Sequence, residues 1–162
     1  MKIIDISWPI SENTTEYKDR KTIKLNPINE YSKDGVSETL ITMHSHTGTH
    51  IDAPEHFLGN KVTIDQIDLK RLIGQCKVLD LTKIEDKITN ADLEKFDIQP
   101  NDIILLKTKN SNLNATEKFD SNFVYLEKSG AKFLADKKIK CVGIDYLGIE
   151  RNQPNHETHK IL

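Results

Sequence analysis

Short apolar runs alternate with polar, turn-rich stretches along this chain. Five runs rich in apolar and β-branched residues read as strands: residues 2–6, 38–43, 77–81, 102–107 and 140–145. The last three show little alternation, which suits strands buried on both faces. Between the strands the apolar spacing turns helical. Residues 64–73 carry Ile64, Ile67, Leu69, Leu72 and Ile73, and Gly74 follows as a C-terminal cap. Residues 91–96 begin after Thr89 and Asn90, either of which can cap a helix. Residues 124–138 carry Val124, Leu126, Ala131, Phe133, Leu134 and Ala135, with lysines gathered towards the C-terminal end, where the helix dipole favours them. Gly130 inside that stretch costs a helix about 1 kcal/mol relative to alanine. Residues 109–122 are polar and rich in Asn and Ser, which predicts a loop. The rhythm of strand, helix and strand predicts an α/β domain with a mixed sheet. With 162 residues and no internal repeat or low-complexity linker, one domain over residues 1–162 is expected. That length buries a hydrophobic core without staples.

Charge narrows the function classes. The formal net charge is −2, and lysines and acids are interspersed. Neither a nucleic-acid groove nor a membrane-binding stripe is expected from that distribution. No apolar run approaches transmembrane length, and the opening MKIIDISWPI lacks the long apolar stretch of a signal peptide. A cytoplasmic protein is expected. Its two cysteines, Cys76 and Cys141, each lie in an apolar run and read as small core residues. The Asn-x-Thr triplets at Asn13 and Asn114 are then chance matches.

One segment carries chemistry. HSHTGTHIDAPEHF, residues 44–57, holds four of the six histidines of the chain. A helix is disfavoured by Thr47, Gly48, Thr49 and Pro54. A straight strand would put His44, His46, His50, Asp52 and His56 on one face, because their spacings are even. Strand positions four apart, however, lie about 13 Å apart at roughly 3.3 Å per residue. Metal–ligand bonds span only about 2 Å. The chain must therefore bend, and Gly48, midway between His46 and His50, is the residue best able to do so. Imidazole and carboxylate donors suit Zn²⁺, Mn²⁺ or Fe²⁺. Two histidines and one carboxylate leave coordination positions open, as in catalytic sites and unlike closed structural ones. A metal so held activates water and polarises a carbonyl. A histidine just outside the ligand shell can move protons near neutral pH. His44 either ligates or merely closes the strand.

The run His46-Thr47-Gly48-Thr49-His50-Ile51-Asp52-Ala53-Pro54-Glu55-His56 matches the signature H-x-G-T-H-x-D-x-P-x-H at every position. In this the chain resembles the cyclase family of metal-dependent hydrolases, which includes bacterial kynurenine formamidase and isatin hydrolase. Asp5-Ile6-Ser7-Trp8-Pro9-Ile10-Ser11 looks like the family's opening, Val142-Gly143-Ile144-Asp145 like its late strand, and His159-Lys160-Ile161-Leu162 like its H-x-x-L-L segment. The resemblance implies the family's mixed-sheet, swivelling β/β/α architecture, assembled as a homodimer or homotetramer. It implies metal ligation by His46, His50 and Asp52, with His159 on a second metal and His56 as the catalytic acid/base. One or two divalent ions per chain are implied, zinc first and manganese second. Tyr17 stands where kynurenine formamidases carry a tryptophan that stacks on substrate; tyrosine keeps an aromatic face but a smaller one. The expected reaction is metal-dependent hydrolysis of a C–N bond in a small amide, formamide or cyclic amide, with N-formylkynurenine as leading candidate. Water is the nucleophile, and His56 handles the proton going to the leaving nitrogen.

In the family the chain runs on for several tens of residues past the late histidine, and a glutamate there completes the second metal site. This sequence stops at Leu162, so the C-terminal part of the family domain is expected to be missing. The alternative function is then a truncated, catalytically degenerate member acting as an oligomeric or regulatory subunit. Of the remaining residues, Glu55 is expected to face water and His156 to be exposed. Trp8 is a core, interface or substrate-wall residue. Asp145 is either functional or a cap, and Glu150 and Arg151 could pair across a loop.

Overall fold

The computed structural model describes residues 2–59 and 62–162. The chain divides into two compact units, Met1–Ile51 with Asn114–Phe119, and Asp52–Leu113 with Asp120–Leu162.

The first unit is built on an antiparallel ribbon of β1 (Lys24–Asn29) and β2 (Glu38–Thr42), joined through the short helix α1 (Tyr31–Asp34). Gly35 closes α1 in the left-handed conformation, φ +70°, where glycine pays no steric penalty. The register slips between Pro27 and Asn29, a bulge beside a proline that cannot donate to the ladder. The predicted strand at 38–43 is thus observed as β2. The strand expected at residues 2–6 is not: this segment joins no sheet, and Ile3, Ile4 and Ile6 are exposed. A β-branched run specifies an extended backbone but not a pairing partner. β1 lay outside the expectations because its polar residues and Pro27 hide it.

The second unit carries α2 (Glu55–Leu58), β3 (Cys76–Asp80), β4 (Lys87–Ile88), α3 (Asn90–Leu93), β5 (Ile103–Lys107), β6 (Tyr125–Leu126), α4 (Lys128–Asp136), β7 (Cys141–Ile144) and α5 (Glu157–Ile161). Strands β3, β5 and β7 form a parallel sheet in that order, and β4 pairs with β6, also in parallel. The three predicted late strands are therefore present, each within a residue or two. They are not buried on both faces. Leu79, Ile104 and Leu106 point into a core shared with Leu93, Ala131 and Leu134, while Val78 on the other face of β3 is 60% exposed. Cys76 is exposed as well, against its expected place in the core, and Cys141 is half-buried.

The helices follow the same logic. Thr89 begins α3 with a capping box, its side chain and backbone bonded to Asp92. In α4, Gly130, Ala131 and Leu134 form the buried stripe. A Cβ on Gly130 would lie 2.7 Å from Leu126 Cδ1 and 2.9 Å from the Ile88 carbonyl oxygen, so the glycine that weakens the helix lets it approach β4 and β6. The helix is shorter than the predicted 124–138 because Tyr125 and Leu126 pair with β4 and Glu127 caps α4, its carboxylate accepting from Ser129 N–H at 2.8 Å. The helix expected at 64–73 is also corrected. It is two 3₁₀ turns, Ile64–Gln66 and Leu69–Arg71, because Asp68 starts the second turn by accepting from Lys70 N–H. The predicted loop at 109–122 contains a 3₁₀ turn, Lys109–Asn112. Its buried Asn110 bonds both the N–H and the carbonyl of Val124. Among the described residues, no helix is long and apolar enough to cross a membrane.

Candidate metal centre

His46 and His50 lie in the segment that follows β2. Gly48 bends it, with φ +61°, as the spacing of the histidines requires. The N-terminal segment buttresses the bend. Trp8 N–H donates to Thr49 Oγ1 at 3.0 Å, and a Cβ on Gly48 would meet Ile10 Cγ1 at 3.2 Å. The bend sets His46 Nδ1 3.2 Å from His50 Nε2. The Gly48 carbonyl, 2.8 Å from His50 Nδ1, can only accept, so that nitrogen carries the hydrogen. In the neutral ring, Nε2 then presents its lone pair beside His46. A backbone carbonyl behind one ring nitrogen and a lone pair at the other is the arrangement of metal-ligating histidines. Two nitrogens about 2 Å from one tetrahedral ion stand roughly 3.3 Å apart. The observed 3.2 Å separation fits.

Tyr17 belongs to the same unit as these two histidines. Its half-buried ring meets Phe119 edge-on, centroids 4.9 Å apart, with Lys18 Nζ 5.3 Å over it.

Asp52, His56 and His159 come together in the second unit, with a donor atom from each within 4.8 Å of the others. His56 stands in the first turn of α2, and its neighbour Glu55 is exposed, as expected. His159 comes from α5, and its Nε2 is 4.0 Å from Asp52 Oδ2. Burial holds the His159 pKa below the usual histidine range, against the upward pull of Glu150 and Asp52. A neutral imidazole is the form a metal needs. Phe57 packs among the rings: it stacks on His159 at 3.9 Å and meets His56 at 4.3 Å and His156 at 4.7 Å.

Glu150 was not among the predicted site residues. It does not pair with Arg151, which instead donates to the Phe123 carbonyl and bridges to Asp86. The Glu150 side chain is 4% exposed and faces His156 Nδ1 at 2.7 Å and His159 Nδ1 at 3.2 Å. His156 itself is exposed, as expected. The spacing Glu-x5-His-x2-His was the available signal, but it is left-handed backbone at Asn152, Asn155 and His156 that folds the chain back onto the glutamate. Asp145 resolves as a cap. Its carboxylate accepts from Thr108 N–H at 2.7 Å, Thr108 Oγ1 at 2.8 Å and Ser111 N–H at 3.1 Å, securing the turn after β5.

The family model for Cyclase, described as "Putative cyclase", matches residues 4–151, reaching into both units. The chain belongs to the cyclase family. It is 29% identical over 148 residues to a kynurenine formamidase of Bacillus cereus, covering 91% of this chain and 69% of that protein. Two solved structures share its fold at higher identity. One is described as a potential metal-dependent hydrolase with cyclase activity: 42% identity, TM-score 0.87, covering 99% of this chain and 75% of that one. The other is a "predicted metal-dependent hydrolase" of Bacillus stearothermophilus: 43% identity, TM-score 0.85, covering 99% and 76%. The mixed α/β architecture, with parallel and antiparallel sheets, is the family's.

Proposed function

We propose that the chain is a metal-dependent hydrolase of C–N bonds in small amides, formamides or cyclic amides. One observation carries the reading: His46 and His50 hold two ring nitrogens 3.2 Å apart, with the His50 tautomer set by the Gly48 carbonyl. Asp52, two residues on, would supply the carboxylate, and His159 would serve a second ion. Zinc is the first candidate and manganese the second, from the donor types. When bound, the cation polarises the scissile carbonyl and lowers the pKa of water.

The chain's own residues do the rest. His56 takes a proton from the attacking water and returns it to the leaving nitrogen, so that an amine and not an amide anion departs. Phe57 holds that imidazole against one side. Tyr17 offers an aromatic face to the acyl-bearing group. An arylformamide, N-formylkynurenine first, is the leading substrate, supported by the relative named kynurenine formamidase. The chain works as a homodimer or homotetramer in the cytoplasm, where its two free thiols stay reduced.

The test is elemental analysis of the purified chain together with turnover of N-formylkynurenine by wild type and His56→Ala. One or two equivalents of zinc or manganese are expected per chain. The variant should keep its metal and lose on the order of 10²–10⁴-fold in turnover. No metal after reconstitution, or a variant as fast as wild type, overturns the reading.

A further inference from the structure

A buried carboxylate needs partners to offset its lost hydration. Glu150 finds them six and nine residues along its own chain. Its Oε1 faces His156 Nδ1 at 2.7 Å. Its Oε2 accepts from the backbone N–H of His159 at 3.2 Å and from Gln153 Nε2 at 3.5 Å. The same oxygen lies 3.2 Å from His159 Nδ1, an approach short of a full hydrogen bond. On its far side the His159 ring turns Nε2 towards Asp52 Oδ2, 4.0 Å away. Phe57, stacked on the ring with an interplanar angle of 28°, blocks rotation out of that plane.

A neutral imidazole carries its hydrogen on one nitrogen only. With hydrogen on Nε2, the electron-rich Nδ1 would lie 3.2 Å from a carboxylate oxygen, in a site sheltered from water. With hydrogen on Nδ1, that contact becomes attractive, and the lone pair falls on Nε2. Histidines that bind metals commonly have their tautomer set in this way by a carboxylate.

We propose that Glu150 is a positioning residue that sets the His159 tautomer, placing hydrogen on Nδ1 and the free lone pair on Nε2, beside Asp52. The role rests on the metal-dependent reading above. Each unit orients a histidine with a device of its own. A backbone carbonyl orients His50, and a buried side-chain carboxylate orients His159. His156 occupies the other oxygen of Glu150 and so leaves Oε2 to its partner.

The experiment joins two readouts. Nitrogen-15 NMR of the imidazole rings, on metal-free protein at about pH 7.5, reports the tautomer of each neutral histidine. Competition with a chelator reports zinc affinity. Wild-type His159 should be the Nδ1–H tautomer. Glu150→Gln keeps the volume but loses the charge. It should populate both tautomers and bind zinc about ten- to hundredfold more weakly. His156→Ala should leave the affinity within about twofold, since it touches only the other oxygen. An Nε2–H tautomer in the wild type overturns the proposal without need of any variant. So does a Glu150→Gln protein with unchanged tautomer and affinity. Equal losses in Glu150→Gln and His156→Ala would make Glu150, His156 and His159 a ligand set and would also overturn it. Failure of the wild type to take up zinc would refute the hydrolase reading, while the tautomer comparison still decides the case for Glu150.

Discussion

Replacing Gly48 by alanine isolates the bend on which the His46–His50 pair depends. The residue sits at φ +61°. An L-residue in that region costs roughly 1–2 kcal/mol, because its Cβ crowds the following carbonyl. The new Cβ would also meet Ile10 Cγ1 at 3.2 Å and Cδ1 at 3.4 Å, but these belong to a side chain that is 43% exposed and can move aside. Backbone strain therefore dominates. If the metal-free variant keeps the bend, the cost appears in its stability, where the stiffer unfolded alanine chain offsets about 0.4–1 kcal/mol. If it relaxes, the cost passes to cation affinity, as a loss of about five- to thirtyfold. Urea unfolding with and without saturating zinc, together with chelator competition, captures both shares. Two controls sharpen the result. Gly48→Asn should cost less than alanine, since asparagine visits the left-handed region more readily. Gly35→Ala, at φ +70° with no atom within 4 Å of the added Cβ, should lose stability and leave zinc affinity unchanged. Unaltered stability and affinity in Gly48→Ala, or an asparagine variant as impaired as the alanine one, would refute the account.

Two further predictions concern the framework. Hydrogen bonds from Thr89 hold the Asp92 carboxyl below its ordinary value of 3.8. Its stabilising contribution is therefore present above that value and lost as pH falls through the lower folded pKa. Asp92→Asn should cost about 1 kcal/mol at neutral pH, and the gap to wild type should close in acid; a gap that persists or widens there would contradict the capping role. Gly130→Ala should lower the melting temperature. Overpacking against Leu126 and the Ile88 carbonyl, at about 1–3 kcal/mol, exceeds the roughly 1 kcal/mol gained in helix propensity. A variant that melts higher would mean the helix shifts at no cost.

What the sequence revealed depended on how local the determinants were. The histidine segment was legible because its candidate donors lie within eleven consecutive positions, and one glycine explains the approach of His46 to His50. Strands β2, β3, β5 and β7 were legible because each is centred on adjacent apolar or β-branched residues. Residues 2–6 carry the same signal without a pairing partner, and β1 pairs without the signal. The helical stripe at 64–73 was real in spacing but interrupted by Asp68, which favours starting a new turn over continuing the old one. Glu150 was hidden for another reason. Its burial and its two histidine partners follow from left-handed backbone at Asn152, Asn155 and His156, which no periodicity announces.

Phe57 has no donor atom, yet it touches the rings of His56, His156 and His159. Losing this ring would free three imidazoles to turn without removing one candidate donor. Inventories of such proteins that score only histidines and acids would count the damaged version as competent. In this chain, competence of the site depends on an aromatic that offers no electron pair of its own.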